Sequence, residues 1–438
     1  MLLQSDRCHP HSRIPSFTEV AVFCVTLSLP VSALAQDAAE VPPPALMLEE
    51  IVVEAPPLGR SAEKLVRPVD VVTGDELDRS RNGTIGDVLA HRPGVANSSF
   101  GPGVGRPIIR GQGAPRVQVL DNGLSTKDAS SVSADHAVSV DPLGADQVEI
   151  IKGPATLIYG GAASGGVVNV VDDRLADTVK PGLRMRGLAS YGSNADEKNA
   201  ALRVRYGIGS MHFGAQYGSR RAGDFSVPGF AVRQHAGEEV HEHEEEEPRR
   251  DLIENSALRS DSYGSSAAYV GSQGMLGAAV SRFETQYGIP AGGHVHEHEH
   301  EHDAGEEEAG HGHEGVGIDL KQTRVDLRGV LWTPISGIED IEGRIGVNNY
   351  QHKEVEPSGA VGTTFDVEET EGRLQLTHDP LGLWQGVLGL HAHHRDFEAV
   401  GEEAFVPPTT SKGFGLFVVE DRPIGAHRLE LGGRIDYV

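Results

Sequence analysis

Long stretches of the chain after residue 173 alternate between apolar and polar positions. In GLRMRGLASYG, Leu183, Met185 and Ala189 fall on one side of an extended segment, and Arg184 and Arg186 fall on the other. The same alternation returns in AALRVRYGIG, MHFGAQYGSR, VDLRGVLW, IEGRIGVNNY, GRLQLTHD, GVLGLHAHHR, GFGLFVVED and HRLELGGRIDYV. Segments of about ten residues with one apolar and one polar face, joined alternately by tight turns and long polar loops, are typical of a transmembrane β-barrel. A soluble all-β protein also alternates, but its core would have to bury the repeated arginines.

A different pattern precedes the alternating strands. GDELDRSRNGTIGDVLAHRPGV (74–95) predicts two short helices, the second ended by Pro93-Gly94. RVQVLDNGLS (116–125) predicts a strand, an Asp-Asn-Gly turn and the start of a second strand. VEIIKGPATLIYGGAASGGVVNVVDD (148–173) predicts a strand, a glycine-rich turn and a strand. We therefore expect a mixed α/β domain over 60–175, followed by an antiparallel transmembrane β-barrel over 183–438.

The N-terminal segment is predicted to be an export signal and a linker. The apolar run VAVFCVTLSLPVSALA (20–35) ends in the small-x-small site Ala33-Leu34-Ala35, so residues 1–35 are predicted to be a signal peptide. Residues 36–59 form a Pro- and Ala-rich flexible leader that contains the short strand-prone run LEEIVVEAPP. Taken alone, this run fits equally well an edge strand of the next domain or a peptide that adds a strand to a partner's sheet.

Charge and cysteine content narrow the ligand chemistry. The 438 residues carry a formal charge of −26, which disfavours nucleic acid and favours small cations. The two cysteines, Cys8 and Cys24, fall inside the predicted signal peptide, so a metal site in the exported chain has to use histidine and carboxylate. No nucleophile–base pair or phosphate loop has a supporting context, so we expect no enzyme and no catalytic cofactor.

Three motifs resemble those of TonB-dependent outer-membrane receptors. LEEIVVEAPP (48–57) resembles the TonB box, and RPIIRGQGAPRVQVLDNG (106–123) and VEIIKGPATLIYGGAASGGVVNVV (148–171) resemble the two plug-domain signatures. The resemblance implies a plug inside a barrel of about 22 strands in the lipid of the bacterial outer membrane, after removal of the signal peptide. It also implies energy supply by the TonB complex through residues 48–55, which include Leu48, Glu49, Glu50, Ile51, Val52 and Val53.

The length of the alternating region is short for that family. Residues 183–438 leave room for about ten or eleven strands, roughly half of such a barrel. An unclosed barrel would expose unpaired strand edges to lipid. We therefore expect a truncated product, a fragment, or one piece of a split gene.

Two predicted loops are rich in histidine and glutamate. The first, at 233–250, contains His235, His241 and His243. The second, at 291–317, contains His294, His296, His298, His300, His302, His311 and His313. In an extended chain every second side chain faces the same way, so neighbouring imidazoles can share one Zn²⁺ at several weak sites. Cu²⁺ and Ni²⁺ would bind as well, and the alternative is a solvated low-complexity loop without a ligand.

A quieter pair, Asp135 and His136, lies between the two plug signatures. Such a pair is by itself more often a turn with a capped helix start. Here the resemblance extends to zinc-uptake receptors, which are similar in carrying an Asp-His pair on the plug's apical loop as metal ligands, completed by barrel residues. Candidates for completion are Glu403, with Glu402 as its near rival, and the lumen-facing His391 and His393, whereas His394 is expected to face outward. A polar lumen lining explains His391 and His393 at least as well.

These patterns predict TonB-dependent import of a divalent transition metal, with zinc as the expected transported ligand. One alternative is a receptor for haem or a metal chelate such as a siderophore, in which histidine would ligate haem iron. The other is a truncated, non-transporting remnant whose loops merely bind metal.

Overall fold

The computed structural model describes residues 69–231, 250–290, 315–402, 404–425 and 427–438. The predicted signal peptide and TonB box lie outside the described residues, as do Glu403 and the histidines of both His-rich loops. All described residues belong to one compact unit, Glu50–Val438. None of the helices in these ranges is both long enough and apolar enough to span a membrane.

The N-terminal domain is a small mixed sheet with two short helices. Five of its strands form a sheet in the order β1-β6-β7-β4-β5, in which β4 and β7 run parallel, and β2 and β3 form a separate hairpin. The strands are β1 (Asp70–Thr73), β2 (Val95–Ser99), β3 (Gly105–Ile109), β4 (Val117–Asp121), β5 (Leu124–Ser125), β6 (Gln147–Ile151) and β7 (Gly166–Val171), and the helices are α1 (Gly74–Ser80) and α2 (Ile85–Leu89). Both predicted helices and both predicted strand–turn–strand units are confirmed.

Local sequence explains these elements. Thr84 and Asp87 form a reciprocal capping box that starts α2, which satisfies backbone donors that the first helical turn leaves free. In the turn between β4 and β5, Asn122 and Gly123 have φ angles of 50° and 80°, the left-handed conformation that Asn-Gly adopts at low cost. The apolar sides of the helices and the sheet share one buried cluster, which includes Leu77, Leu89, Val148, Ile150 and Val168.

The large antiparallel sheet follows, and its described part has eleven strands, in line with the predicted ten or eleven. Each strand pairs with its neighbour in sequence, except that the hairpin of β11 and β12 stands apart between β10 and β13. The eleven strands of the sheet are β8 (Gly182–Gly192), β9 (Glu197–Ile208), β10 (Met211–Ala222), β13 (Leu258–Gly271), β14 (Gly274–Gly288), β15 (Gly317–Trp332), β16 (Ile338–Val355), β17 (Val361–His378), β18 (Gln385–Gly401), β19 (Thr409–Ile424) and β20 (His427–Tyr437), and the two strands of the hairpin are β11 (Phe225–Phe230) and β12 (Arg250–Ile253).

The two faces of the large sheet differ as the alternation predicted. The outer face exposes apolar side chains, among them Leu183, Met185, Leu202, Tyr206, Leu276, Ile345, Val347, Leu388, Leu390, Leu416 and Val418. The inner face carries arginines that form ion pairs with the N-terminal domain: Arg186 with Asp78 (2.6 Å), Arg203 with Asp146 (2.5 Å) and Arg205 with Asp173 (3.0 Å). Arg203 and Arg205 are therefore largely buried against acidic partners of the N-terminal domain, whereas the side chain of Arg186 is 46% exposed.

Side chains of the large sheet also bind backbone carbonyl groups of the N-terminal domain. Four inner-face side chains donate hydrogen bonds to four consecutive carbonyl oxygens: Arg324 to Ser125 (2.9 Å), Gln322 to Thr126 (2.8 Å), Asn348 to Lys127 (2.8 Å) and Arg395 to Asp128 (3.0 Å). These side chains come from β15, β16 and β18, so several strands fix one short segment. That segment, residues 125–128, leads directly into the loop that carries Asp135 and His136.

The connections between strands are short at one end of the strands of the large sheet and longer at the other end. β13 and β14 are separated by two residues, whereas β14 and β15 are separated by residues 289–316, which contain the second His-rich segment. Gly288 pairs with Gly317, and Gly317 pairs with Val355 at the end of β16. These three residues define the long-loop end of the sheet. The two ends of the second His-rich segment therefore lie beside the end of β16.

Candidate metal centre

A closed loop at the long-loop end of the sheet carries His136. The carboxylate of Asp128 accepts hydrogen bonds from the backbone N–H of Ser130 (3.0 Å) and of Ser139 (2.9 Å), as well as from both serine hydroxyls. One side chain thus ties the two ends of residues 130–139 together. Arg106 donates to the carbonyl oxygens of Ser130 and Ser133 (2.6 and 2.8 Å) and holds the first half of the loop.

Tyr287 of β14 fixes the backbone on both sides of His136. Its hydroxyl donates to the carbonyl oxygen of Asp135 (3.2 Å) and accepts from the N–H of Ala137 (3.0 Å). A hydroxyl that is donor and acceptor at once satisfies two buried backbone groups. The sheet therefore determines where the side chain of His136 points.

His136 meets two residues of β16, His352 and Glu354. One ligand atom from each of the three residues lies within 4.8 Å of the other two, and Nε2 of His136 lies 3.4 Å from Oε1 of Glu354. The three residues are 0%, 1% and 3% exposed. His352 and Glu354 are two positions apart on a strand, so both point to the inner face. No other such group of three metal-ligating side chains occurs in the ranges that the structure describes.

Each imidazole has a partner at Nδ1, which leaves Nε2 to face the centre of the group. Nδ1 of His136 lies 3.1 Å from the carbonyl oxygen of Ala129 and donates to it, so Nε2 of His136 can bind an ion when it gives up the proton that it shares with Glu354. Nδ1 of His352 lies 2.8 Å from the hydroxyl of Tyr350. Nε2 of His352 is buried and has no hydrogen-bond partner among the described residues. Two Nε2 atoms and one carboxylate are therefore available to a ligand.

The spacing of these atoms suits a small transition-metal ion. With Zn–N and Zn–O distances of about 2.0–2.1 Å, neighbouring ligands of a tetrahedral Zn²⁺ ion lie about 3.3 Å apart. The 3.4 Å between His136 Nε2 and Glu354 Oε1 is close to that value. Three protein ligands leave a fourth position open, which is the arrangement of zinc sites that exchange a ligand.

Phe365 of β17 encloses the two imidazoles. Its ring stacks on His352 with a centroid distance of 4.5 Å and an interplanar angle of 27°, and it meets His136 edge-on at 4.9 Å. The two imidazoles themselves are 4.2 Å apart in a T-shaped arrangement. Phe365 therefore packs against both imidazoles of the group.

The electrostatic surroundings of His136 favour a positive charge. Burial alone would lower the pKa of His136, but the hydrogen bond with Glu354 and the nearby carboxylate of Asp135 raise the pKa above its ordinary value. Carboxylates that stabilise an imidazolium at this place also stabilise a divalent cation. The group is thus suited to a cation by charge as well as by geometry.

Asp135 lies next to this group but is not one of its three members. It is 3% exposed, and its Oδ1 accepts a hydrogen bond from the hydroxyl of Ser133. Of the predicted pair, His136 therefore belongs to the group of three, and Asp135 lies beside it. A role for Asp135 as a ligand stays a prediction.

His391 and His393 face inward and His394 faces outward, as the alternation predicted. Arg434 donates to Nδ1 of His391 (3.0 Å), and Nε2 of His391 lies 3.0 Å from Glu371, so both of its nitrogens are engaged. The ring of His393 lies 5.8 Å from that of His391. Neither residue belongs to the three-residue group, and the direct partners of His391 make it part of an ionic network in the described structure.

Glu403 lies outside the described residues, but the strand before it, β18, ends in register with Glu354. Glu354 of β16 pairs with Thr363 of β17, and Thr363 pairs with Gly401 of β18. Two strand spacings of about 4.8 Å place Gly401 about 10 Å from Glu354. The prediction that Glu403 adds a ligand stays open on this basis.

His352 and Glu354 were missed by the sequence reasoning. The predicted strand IEGRIGVNNY ends at Tyr350, whereas β16 continues through QHKEV to Val355. The His-x-Glu sequence in that extension puts an imidazole and a carboxylate on one face of a strand, and this was the available signal. Its meaning depends on His136, which is far away in the sequence.

Comparison with known families agrees with this architecture. Residues 61–167 match the family described as TonB-dependent Receptor Plug Domain. This stretch of the chain is therefore similar to the plug domain of TonB-dependent receptors. The match supports the predicted resemblance over the N-terminal domain. The domain that holds His136 is the plug, and the large sheet follows it.

Relatives of known function share only part of their length with this chain. The rhizobactin receptor of Rhizobium meliloti is 31% identical over 222 residues, which cover 47% of this chain and 28% of that receptor. The vitamin B12 transporter BtuB of Photobacterium profundum is 30% identical over 155 residues, covering 35% of this chain and 24% of that transporter. By name, the first relative is a receptor and the second is a transporter.

Solved structures share the fold. The copper transporter OprC superposes with a TM-score of 0.64 at 17% identity, over 84% of this chain and 55% of that protein. The FrpB iron transporter from Neisseria meningitidis (F3-3 variant) superposes with a TM-score of 0.63 at 13% identity, over 84% and 57% of the two chains. The chain thus spans little more than half the length of these structures. The predicted fold class, a plug domain followed by a large antiparallel sheet, is confirmed.

Proposed function

We propose that this chain belongs to a receptor that imports a divalent transition-metal ion across the outer membrane, with Zn²⁺ as the preferred ion. The observation that carries this proposal is the buried group of His136, His352 and Glu354, whose ligand atoms lie within 4.8 Å of one another. Nitrogen and carboxylate ligands in a tetrahedral set are typical of zinc. Copper and nickel bind the same ligand types, so the preference for zinc is the finer part of the proposal.

Burial of the group supports a bare ion over an organic chelate. The three ligands are at most 3% exposed, and Phe365 packs against both imidazoles. Haem or a siderophore would need a cavity of several hundred Å³ around its metal. An ion needs only the space between the three ligand atoms.

The position of the group along β16 supports a location on the outer side of the membrane. The outer face of β16 is apolar at Ile345 and Val347, and its next outward positions are Asn349, Gln351 and Lys353. Glu354 lies seven residues beyond Val347, which is about 24 Å along a strand. An ion that enters from outside would therefore reach the group before the membrane-embedded part of the barrel.

The His-rich loops would collect ions close to this group. The second His-rich segment connects β14 to β15, and Ile318 of β15 pairs directly with Glu354. Weak sites on His294, His296, His298, His300 and His302 would raise the local ion concentration next to the entrance. His311 and His313 in the same segment, and His241 and His243 in the first one, would add further weak sites.

Release would follow from movement of the plug. His136 belongs to the plug, whereas His352 and Glu354 belong to the barrel wall. When the TonB complex pulls on residues 48–55, displacement of the plug loop separates His136 from its two partners. An ion that loses one of three protein ligands binds more weakly and can move inward.

The test is metal binding and uptake in matched variants. His136→Ala and Glu354→Gln should each reduce Zn²⁺ affinity of the purified chain by at least about 10- to 100-fold. His394→Ala is the control, because His394 is an exposed histidine on the outer face that contacts only Asp396 among the described residues. Equal affinity in His136→Ala and the wild type would refute the proposed site.

A second candidate is a receptor for a metal chelate or haem. It is favoured by the names of the relatives, a rhizobactin receptor and a vitamin B12 transporter, whose ligands are larger than an ion. Growth of cells that carry the intact receptor separates the two candidates. Free zinc is the only zinc source in one culture, and haem is the only iron source in the other. If Asp135→Ala and His136→Ala leave growth on zinc unchanged but abolish growth on haem, the chelate candidate replaces ours.

A further inference from the structure

Tyr350 contacts the metal-ligating group without being one of its ligands. Its hydroxyl lies 2.8 Å from Nδ1 of His352, two positions further along the same face of β16. Both side chains are 1% exposed. The ring of Tyr350 belongs to the apolar cluster under the site, together with Ala129, Ala137, Tyr287 and Ile318. Its hydroxyl is thus held in place by the packing of its ring.

Each of the two imidazoles has a partner at Nδ1. Nδ1 of His136 lies 3.1 Å from the carbonyl oxygen of Ala129, and Nδ1 of His352 lies 2.8 Å from the hydroxyl of Tyr350. Ala129 and Tyr350 also belong to the same apolar cluster.

A metal-bound imidazole needs a partner for its second nitrogen. When Nε2 binds an ion, Nδ1 carries the proton, and a buried N–H without an acceptor destabilises that state. For Nδ1 of His352, the hydroxyl of Tyr350 is the hydrogen-bond partner that the described residues provide. Phe365 stacks on the face of the His352 ring. The N–H bond of Nδ1 lies in the plane of the imidazole, so the stacked phenyl ring cannot accept it.

We propose that Tyr350 is a positioning residue of the ion site, which holds His352 with Nδ1 protonated and Nε2 directed at the ion. This inference rests on the proposed function, since it assigns a role at the same site. Tyr350 does not touch the ion. It sets which nitrogen of His352 binds and keeps the ring in the orientation that matches His136 and Glu354.

The experiment is a double-mutant cycle on the full chain with Zn²⁺ affinity as the readout. Tyr350→Phe keeps the ring and removes only the hydroxyl, and it should weaken Zn²⁺ binding by about 10- to 100-fold. In the His352→Ala background, Tyr350→Phe should cause no further loss, because the residue through which it acts is gone. A merely structural role would give the same loss in both backgrounds and would overturn the proposal.

Cobalt supplies a readout that does not depend on affinity. Saturating Co²⁺ should give ligand-field absorption in the wild type, and the band positions should shift in Tyr350→Phe because one imidazole is reoriented. Tyr263→Phe is the matched control, since Tyr263 is 44% exposed on the outer face and should leave both readouts unchanged. Unaltered affinity and spectrum in Tyr350→Phe would remove the positioning role while leaving the ion site intact. If His136→Ala also binds like the wild type, the site itself is wrong and both proposals fall.

Discussion

His136 and Glu354 are 218 positions apart in the sequence, yet Nε2 of the histidine lies 3.4 Å from Oε1 of the glutamate. One residue belongs to the plug and the other to the barrel wall. An ion held by both residues, as proposed, would lose one of its ligands when the plug moves. The contact therefore links the occupancy of the site to the position of the plug.

Ion binding at this site should depend on pH in a defined way. Protonated His136 cannot ligate, and its pKa is raised above the ordinary value by Glu354 and Asp135 against the effect of burial. As pH falls, Zn²⁺ affinity should therefore begin to weaken above pH ~6.5, the unperturbed histidine value. In Glu354→Gln the onset should move to lower pH, because the strongest interaction that raises the pKa is removed.

Calorimetric titration across pH measures this onset, and a synthetic peptide of residues 294–313 provides the comparison. Its solvated imidazoles should lose Zn²⁺ as pH falls through ~6.5. An affinity of the peptide that is the same at neutral and mildly acid pH would contradict the proposed role of imidazoles in the loops.

Phe365→Ala should weaken both folding and ion binding. Removal of a buried phenyl ring costs about 3–5 kcal/mol, and here it also frees the two imidazoles that the ring packs against. We expect a lower midpoint of thermal unfolding and weaker Zn²⁺ binding. Phe414→Ala removes the same ring from the outer face, where Phe414 is 50% exposed, and should leave Zn²⁺ affinity unchanged.

Arg324→Ala should loosen the plug. The guanidinium of Arg324 is buried and donates to the carbonyl oxygens of Ser125 (2.9 Å) and Asp121 (3.1 Å) and to the carboxylate of Asp326 (2.8 Å). Its loss leaves buried acceptors and a carboxylate short of partners, at a cost of about 3–5 kcal/mol. Limited proteolysis should cut the plug faster in this variant.

Arg282→Ala is the matched control for that experiment. Arg282 lies on the outer face with its side chain 50% exposed and pairs with Glu284. Its removal should change stability by no more than about 0.5 kcal/mol. Equal protease resistance of Arg324→Ala and Arg282→Ala would show that the carbonyl contacts do not hold the plug.

Val52→Pro should separate transport from binding. Residues 48–55 are proposed to add a strand to the TonB protein, and proline removes a backbone donor from that pairing. Uptake of radioactive Zn²⁺ should fall to background, while the affinity of the purified chain stays unchanged. Ala45→Pro, which follows Pro42, Pro43 and Pro44 in the leader, should leave uptake intact. Normal uptake in Val52→Pro would exclude this segment as the contact.

Local patterns were enough to predict the fold. Alternation determines which face of a strand is apolar, so Leu183 and Met185 were correctly expected on the outer face, and Asp-Asn-Gly determines a tight turn by backbone preference alone. Such signals act within a few residues. They do not depend on which distant strand becomes a neighbour.

The site could be predicted only in part, for the same physical reason. His136 stood out through a resemblance, but its partners are set by the register between the plug loop and β16, and no local preference encodes that register. His391 shows the opposite case. Its inward orientation follows from alternation, whereas its engagement by Arg434 and Glu371 depends on contacts with a remote strand and a neighbouring one.

The hold on residues 125–128 has a consequence for how such a receptor could diversify. The large sheet binds this segment through four carbonyl oxygens, which every amino acid possesses, so these four hydrogen bonds do not depend on which side chains the segment carries. The loop that follows depends instead on the identities of Asp128, His136 and their partners. A new ion preference could therefore arise by substitution in residues 130–139 and at the end of β16 alone, on an anchor that stays the same.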